Sequence, residues 1–491
     1  MITLKKQQFL KQATFFSASL FISRLLLSVR GIIIPRLLGP VDYGIYNGVL
    51  ILPEYLMHFH FGSISALKRE IPFCYGKNDF QQAQRIRNIV FSQYLATILI
   101  SVSLIGLFTY LVQERYSSSI IVALRLVCLL IVAQAVVEVF LENVVRTDNQ
   151  FSILSNSEIF KSLIGFGFML IMIWYWHLNG LIASLILSSL LKGGYIYYKT
   201  RYQFRWIWDF NELMRLLKIG FPILLGLILF TVFASIDRFM IIHYLDMKQL
   251  GYYALGLTVL NFLFIIQTGA YQVLEPKVYR LYGETKEMGA LREIIWDPIY
   301  GMCVLFPLVM GLAYIGIPYL IYLFLPKYIL SLMCIRIMIL GSFFFIFRDG
   351  TYTFIVAINR QSLIVWVVGI GILVNLMFNF ILIKQGWGIE GVALGTIGAN
   401  ILTGGVFLIF TLHHFFKELR NQIKMLIQIF LPAILVGFFL ILMDLIWPVG
   451  GHWRDEFGFI FLKMGGVILL TGPFIWKLKN QFRALRKEPH F

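Results

Sequence analysis

The sequence predicts an all-α polytopic membrane protein: two pseudo-symmetric six-helix bundles around a central cleft, then two C-terminal helices, about 14 transmembrane helices in all. Three observations predict it. Hydrophobic residues make up 59% of the 491 and charged residues 14%, against roughly 45–50% and about 25% in a soluble chain. Apolar stretches long enough to cross a bilayer recur, with Lys and Arg crowded into alternate loops. The first half also recurs in the second at an offset of 207 residues. This composition excludes a water-soluble enzyme, a disordered chain and a secreted disulfide scaffold. No period-2 barrel pattern appears, so the spanning parts must be helices, which satisfy their own backbone N–H and C=O groups in lipid.

Fourteen apolar segments follow one another: 13–34, 43–66, 89–112, 119–144, 153–176, 179–198, 216–242, 250–274, 298–323, 329–358, 362–383, 389–414, 425–446 and 457–476. The basic start (Lys5, Lys6, Lys11) resembles a signal peptide, but Arg24 and Arg30 interrupt the apolar run and no A-x-A site follows, so it reads as the first span. The fifth and sixth segments are separated only by His177, Leu178 and Asn179. With an even number of spans and the N-terminus inside, 27 Lys and Arg fall in internal loops, counting Lys218 at the inner edge of the seventh segment. Six fall outside (Arg36, Arg115, Lys248, Lys327, Lys384, Arg454) and nine within spans. That bias accounts for most of the +17 net charge as positive-inside topology, without nucleic acid, and places both termini in the cytoplasm. No external loop is long enough for a catalytic domain. Trp206, Trp208, Phe210 and Leu213, with Arg205, Arg215 and Lys218, read as an interfacial helix linking two halves.

The repeat is ungapped. It pairs Gly44 with Gly251, Tyr46 with Tyr253, Gly62 with Gly269 and Tyr75 with Tyr282, among 10 identities over 46 positions from Tyr43. Shared apolar composition would give about 4. The unit is six spans, an even number, so the copies run parallel. The expected organisation is a bundle over 1–200, a linker helix over 201–215, a second bundle over 216–420, and two added helices with a basic tail over 421–491. A cleft between two such bundles can open to each side in turn, which points to transport.

Charges inside spans are costly and usually face a cavity. The basic ones include Arg24, Arg30, Arg125, Lys161, Lys192, Arg238, Arg336, Arg348 and Lys463; the acidic ones include Glu54, Glu138, Glu142, Glu158, Asp237 and Asp349. Lys192 and Lys463 stand near span ends and are expected to snorkel; Glu142 is expected to reach the inner interface. Glu158 and Lys161, at i, i+3, fit a pair on one helix face. Asp237–Arg238 and Arg348–Asp349 are adjacent and are expected to point apart. Arg348-Asp349-Gly350 is expected to break its segment. Arg24 and Arg30 have no acidic partner in their own span. A guanidinium forms two parallel charge-assisted bonds to a phosphate, so arginines in a membrane cleft imply an anionic substrate, and a pyrophosphate head group fits. The candidate substrate-binding residues are Arg24, Arg30, Arg238, Arg348 and Lys161. Candidate ion-coupling residues are Asp237, Glu158 and Glu54, each of which could instead hydrogen-bond a neighbouring helix.

No P-loop, HExxH or GxSxG motif is present. Cys74, Cys128, Cys303 and Cys334 stand alone, and His58 and His60 face apart on a helix. Neither a metal site nor a cofactor is expected, and the chain does not read as an enzyme.

The run RGIIIPRLLGPVDYGIYNGVLIL (Arg30 to Leu52) resembles the opening of the polysaccharide biosynthesis, or O-antigen flippase, family. There an arginine-bearing first span precedes a leucine-glycine-proline, acidic, tyrosine-glycine turn. SIDRFMIIHYL (Ser235 to Leu245) and LGYYALGL (Leu250 to Leu257) resemble that family's seventh span and the start of its eighth. The family belongs to the multidrug, oligosaccharidyl-lipid and polysaccharide exporter superfamily. The resemblance implies two six-helix lobes, a cationic cavity and translocation of undecaprenyl-pyrophosphate-linked sugar repeat units to the outer leaflet of a bacterial cell membrane. The first-span arginines carry over as Arg24 and Arg30, and the acidic turn residue as Asp42, a helix cap. Expected partners are the lipid-linked oligosaccharide, membrane lipid, a polysaccharide polymerase and glycosyltransferases. The alternatives are a multidrug/cation antiporter, a lipid II-type flippase, whose last two helices would guide the lipid tail or simply pack, and an integral-membrane sugar polymerase.

Overall fold

In a computed structural model of the chain, residue 26 and residues 29–485 are described, apart from 112, 115, 116, 286 and 448–456. Among them every regular element is helical. The first is α1, 29–49, in which Gly39 takes a φ of +77°. That conformation suits glycine and turns the chain between Leu38 and Pro40. There follow α2 (Ile51–Leu56), α3 (Ser63–Gly76), α4 (Phe80–Leu111), α5 (Ser118–Gln134), a π-helical turn (Ala135–Leu141), α6 (Glu142–Thr147), α7 (Phe151–Thr200), α8 (Phe210–Tyr244) and α9 (Met247–Leu263). Next come α10 (Ile265–Thr285), α11 (Met288–Phe324), α12 (Leu332–Gly341), α13 (Ile346–Ala357), α14 (Gln361–Lys384), α15 (Gly388–Phe415), α16 (Leu419–Ile446) and α17 (Phe457–Leu485). Short 3-10 turns at Pro326–Ser331 and Ser342–Phe345 flank α12. Ten helical stretches among the described residues are long and apolar enough to span. Only 22–50% of each one's most apolar stretch is buried in protein, which leaves the rest for lipid.

The 207-residue offset carries these boundaries onto one another. The turn at Gly39 maps to the break between α8 and α9. The interruption at 57–62 maps to the break at Phe264. The α3–α4 turn maps to the α10–α11 turn, and the π-helical turn at 135–141 maps to the 3-10 turn that opens at Ser342. His177 maps to Lys384, where α14 ends.

The residues up to Ile242, with Asp246–Gly251, form one compact unit; His243–Leu245 and the residues from Tyr252 form another. Thus α8 packs with the first unit, whereas the sequence reading puts it at the head of the second bundle. In the first unit, α7 is a hairpin. His177, at φ 46° and ψ −125°, reverses the chain. Phe160 then stacks on Tyr195, and Gly165 faces Ser188. A Cβ on Gly180 would stand 1.9 Å from the Met172 carbonyl oxygen, so only glycine fits this tight return. The separation of segments five and six at His177 is therefore a real turn. Val90, Val127, Leu130, Ile131, Phe140 and Val144 form the dry centre between these helices.

The expected linker helix over 201–215 is not formed as such: 201–209 has no regular structure and the helix begins at Phe210. Tyr202 and Phe204 turn inward, Phe204 packing on Phe91 and Phe140. The Arg205 and Ile207 N–H groups donate to Asn88 Oδ1 (3.1 Å) and Ser92 Oγ (2.9 Å) on α4. Side chains on α4 thus satisfy a backbone that would otherwise have to coil. Trp206 and Trp208 stack on each other, exposed.

In the second unit, α14 and α15 pair as the hairpin equivalent to α7. The added helices α16 and α17 pack on α11, where Gly311 admits Val436 and Val467. Asp444 on α16 fastens them. It meets Lys463 (3.0 Å), Arg336 (3.1 Å) and the Tyr314 hydroxyl (2.8 Å). Lys463 therefore does not snorkel: it is 5% exposed because its charge is answered inside. The break expected at Arg348-Asp349-Gly350 falls earlier, at Ser342–Phe345. Gly350 is regular helix, and a Cβ there would stand 2.6 Å from Ile299 and 2.7 Å from the Tyr271 hydroxyl.

Candidate functional site

Arg30 lies on the first half of α1, 9% exposed. Its Nε donates to the Met169 sulfur on α7 at 3.3 Å. Among the described residues no carboxylate is within ion-pair distance of it. A thioether is a weak acceptor, so the guanidinium keeps most of its five donors for something else. Arg24 lies outside the described residues.

A polar row joins α2 and the turn after it to α8. Arg238 grips Glu54 in bidentate fashion, with Nη1 to Oε1 at 2.9 Å and Nη2 to Oε2. The Tyr55 and Ser235 hydroxyls meet at 2.6 Å, and His58 meets Thr231 at 2.9 Å. A substrate-binding candidate and an ion-coupling candidate therefore hold each other. Arg238 is buried, while the Glu54 side chain is 42% exposed. Asp237 is buried beside them.

The third cluster lies inside the first unit. Lys161 donates to Glu138, which also accepts from Ser189. Lys192 donates to both Glu142 and Glu158 and is only 1% exposed. The expected same-helix pair of Glu158 with Lys161 is thus replaced by pairs between helices, because the hairpin at His177 sets Lys192 opposite Glu158. Lys192 does not snorkel, and Glu142 turns inward to it. Glu138 sits on the π-helical turn, an insertion that recurs at functional positions.

Beside this cluster is a cavity of about 560 Å³, lined by Lys68, Glu138, Glu142, Asn143, Arg146 and Thr147, among others. Next to it in sequence, Asp148 holds Arg87, Tyr75 and Tyr202 together. Burial, then the bond to Asp148, raises both phenol pKa values above the ordinary tyrosine value.

In the second unit, Arg348 Nε meets its neighbour Asp349 at 3.3 Å, so these adjacent charges do touch. Asp349 also accepts from Gln267 (3.4 Å). Sequence reasoning marked most of these charges but missed Arg87–Asp148 and the Asp444 cluster. For the Asp444 cluster the available signal was an acid in the span next to that of Lys463.

Comparison with known proteins agrees with this fold. Residues 33–329, more than half of the chain, match the family described as polysaccharide biosynthesis protein. An uncharacterized membrane protein of Methanocaldococcus jannaschii is 24% identical over 434 residues, 83% of this chain and 82% of that one. The lipid II flippase MurJ, in an inward closed conformation, superposes with a TM-score of 0.72 at 16% identity, covering 96% of this chain and 99% of that one. An inward-facing multidrug resistance MATE family transporter of the MOP superfamily gives 0.60 at 14% identity, over 82% and 94%. With its apolar helices, its MurJ- and MATE-like fold and a match across 33–329, the chain is a multi-pass membrane protein and belongs to the polysaccharide biosynthesis protein family.

Proposed function

We propose that the protein is a flippase. It translocates polyprenyl-pyrophosphate-linked oligosaccharide repeat units from the cytoplasmic to the outer leaflet by alternating access, for surface polysaccharide biosynthesis in a bacterial plasma membrane. The observation that carries this reading is Arg30, a buried guanidinium with a thioether neighbour and no carboxylate within reach among the described residues. A pyrophosphate offers that fork the paired oxygens it lacks. Family membership supports the substrate class. Arg30 and Arg24 take the phosphates and the polyprenyl tail stays in lipid. Arg238 joins when Glu54 releases it, because the phosphate can replace the carboxylate on the same two nitrogens. Protonation of Glu54 is one means of that release, and Asp237 and Glu158 stand as further coupling sites. Arg348 and Lys161 bind after a similar exchange with Asp349 and Glu138.

The test is Arg30→Ala in cells that depend on this protein for surface polysaccharide. Export should be lost with protein level unchanged, and Arg30→Lys should keep part of it, since lysine retains the charge but not the fork. Normal export by Arg30→Ala removes Arg30 from the mechanism. The MurJ-like fold keeps a lipid II-type flippase as a second reading. Supplying lipid II beside the oligosaccharide lipid separates the two.

A further inference from the structure

We infer that the segment 201–209 and the helix ends beside it form a contact surface for acidic phospholipids. Trp206 and Trp208 enter the bilayer surface, and Lys199, Arg201, Arg205 and Lys218 meet the lipid phosphates. None of these residues belongs to the substrate site proposed above, and the inference requires only that the chain spans a membrane. Place comes first. α7 ends at Thr200 and α8 begins at Phe210, and both contain stretches long and apolar enough to span. The chain that joins them therefore lies at a bilayer surface.

The joining segment has two sides. Tyr202, Phe204 and Ile207 pack against the core of the first unit. The Arg205 and Ile207 N–H groups are answered from α4. Held from within, the segment leaves Trp206 and Trp208 outside, 59% and 56% exposed, their rings stacked with centroids 6.5 Å apart. In water this arrangement keeps a large apolar area hydrated. At headgroup level the rings meet lipid while the indole N–H groups still find polar partners, which is why tryptophan gathers at membrane surfaces.

Charge then selects the lipid. The carboxylates beside the segment are already engaged: Asp209 holds Arg85, and Glu70 and Glu212 hold Arg215. Lys199, Arg201, Arg205 and Lys218 are all exposed, and none has a carboxylate within ion-pair distance among the described residues. Lys199 stands over the Tyr198 ring at 5.7 Å, a contact that leaves its ammonium charge unanswered by any acid. Clustered cations at a bilayer surface are drawn to anionic headgroups. Each guanidinium can also take two oxygens of one phosphate. The phosphate of a zwitterionic lipid is opposed by that lipid's own ammonium, so acidic phospholipids are favoured. A soluble acidic protein would answer the cations, but the two flanking spans already hold this segment against lipid.

The test uses the full chain in phosphatidylcholine nanodiscs, with a fluorophore on Gln203→Cys; the four native cysteines are buried. A quencher near the headgroup is carried on phosphatidylglycerol in one set of discs and on phosphatidylcholine in another, at the same mole fraction. Phosphatidylglycerol should quench the label about threefold more strongly, and added salt should shrink that preference. R201Q/R205Q/K218Q in the labelled chain should lose the preference, and R201K/R205K should keep it. W206S/W208S should weaken quenching by both lipids alike. Equal quenching by the two lipids without further substitution overturns the inference, and so does an unchanged preference in the triple variant. Quenching by neither lipid places the segment in water and overturns it as well. Should the triple variant not fold, the comparison of the two lipids on the otherwise unaltered chain still decides. None of these outcomes bears on the export test of Arg30.

Discussion

At the residue scale, the positions of the membrane charges are legible in the sequence, and their partners are not. Glu158 and Lys161 share a helix face, yet each pairs across helices, because a turn at His177 returns Lys192 to Glu158. Spacing along one helix describes neighbours on that helix only. Arg238 finds Glu54 184 residues away. Arg30 is the exception: its lack of a local acid was visible in sequence, and the structure puts a sulfur beside it. The buried pairs make a sharp prediction. Lys192→Met strands Glu142 and Glu158 and should cost about 3–5 kcal/mol. Thermal melting in detergent should show a lowered midpoint, and adding Glu142→Gln and Glu158→Gln should recover most of it. A single mutant that melts like wild type would show that Lys192 does not hold these carboxylates.

At the element scale, apolar runs located the helices, and glycine permits the turns at Gly39 and beside His177. Gly180 is a case where size decides: Gly180→Val would drive its side chain into the Met172 carbonyl and open the α7 hairpin. A loss of folded protein in size-exclusion chromatography is expected, whereas Gly167→Val, in open space, should be tolerated. The segment 201–209 could not be read correctly. Its Trp206 and Trp208, with Phe210 just after it, fit an interfacial helix, and the groups that hold its backbone, Asn88 and Ser92, lie more than 110 residues away. Asn88→Ala with Ser92→Ala should leave two backbone donors unanswered and speed proteolysis at 201–209; an unchanged cleavage rate would contradict that role. At the end of this segment Asp209 caps α8. Its carboxyl accepts from the Glu212 N–H at 3.1 Å and from Arg85 at 2.6 Å, and these bonds hold its pKa below the ordinary aspartate value. A depressed pKa stabilises the fold above the unfolded value and loses that contribution as pH falls through the folded one. Proteolysis of 201–209 should therefore rise only in that acidic window, and Asp209→Asn should make it nearly independent of pH there.

At the scale of the whole molecule, the repeat seen in 10 identities is repeated in the order and breaks of the helices. The backbone symmetry is not matched by charge. Glu142 corresponds to Asp349, but Lys161 corresponds to Val368 and Lys192 to Ala399, so the lysine-bridged cluster belongs to the first copy alone. Two copies of one scaffold thus carry different chemistry, as expected where function resides in sites added to a fold. The fold was legible because bilayer physics forces long apolar helices and biased loops, and the family through the runs from Arg30, Ser235 and Leu250. The proposed ligand chemistry rests on Arg30, which has no carboxylate within ion-pair distance among the described residues. The most direct measurement follows a fluorescent polyprenyl-pyrophosphate oligosaccharide in vesicles containing the purified protein, with a membrane-impermeant quencher outside. The account predicts that wild type brings the inner-leaflet lipid to the quencher and that Arg30→Ala leaves it protected. Protection in wild-type vesicles equal to that in protein-free vesicles, or transfer by Arg30→Ala at the wild-type rate, would contradict it.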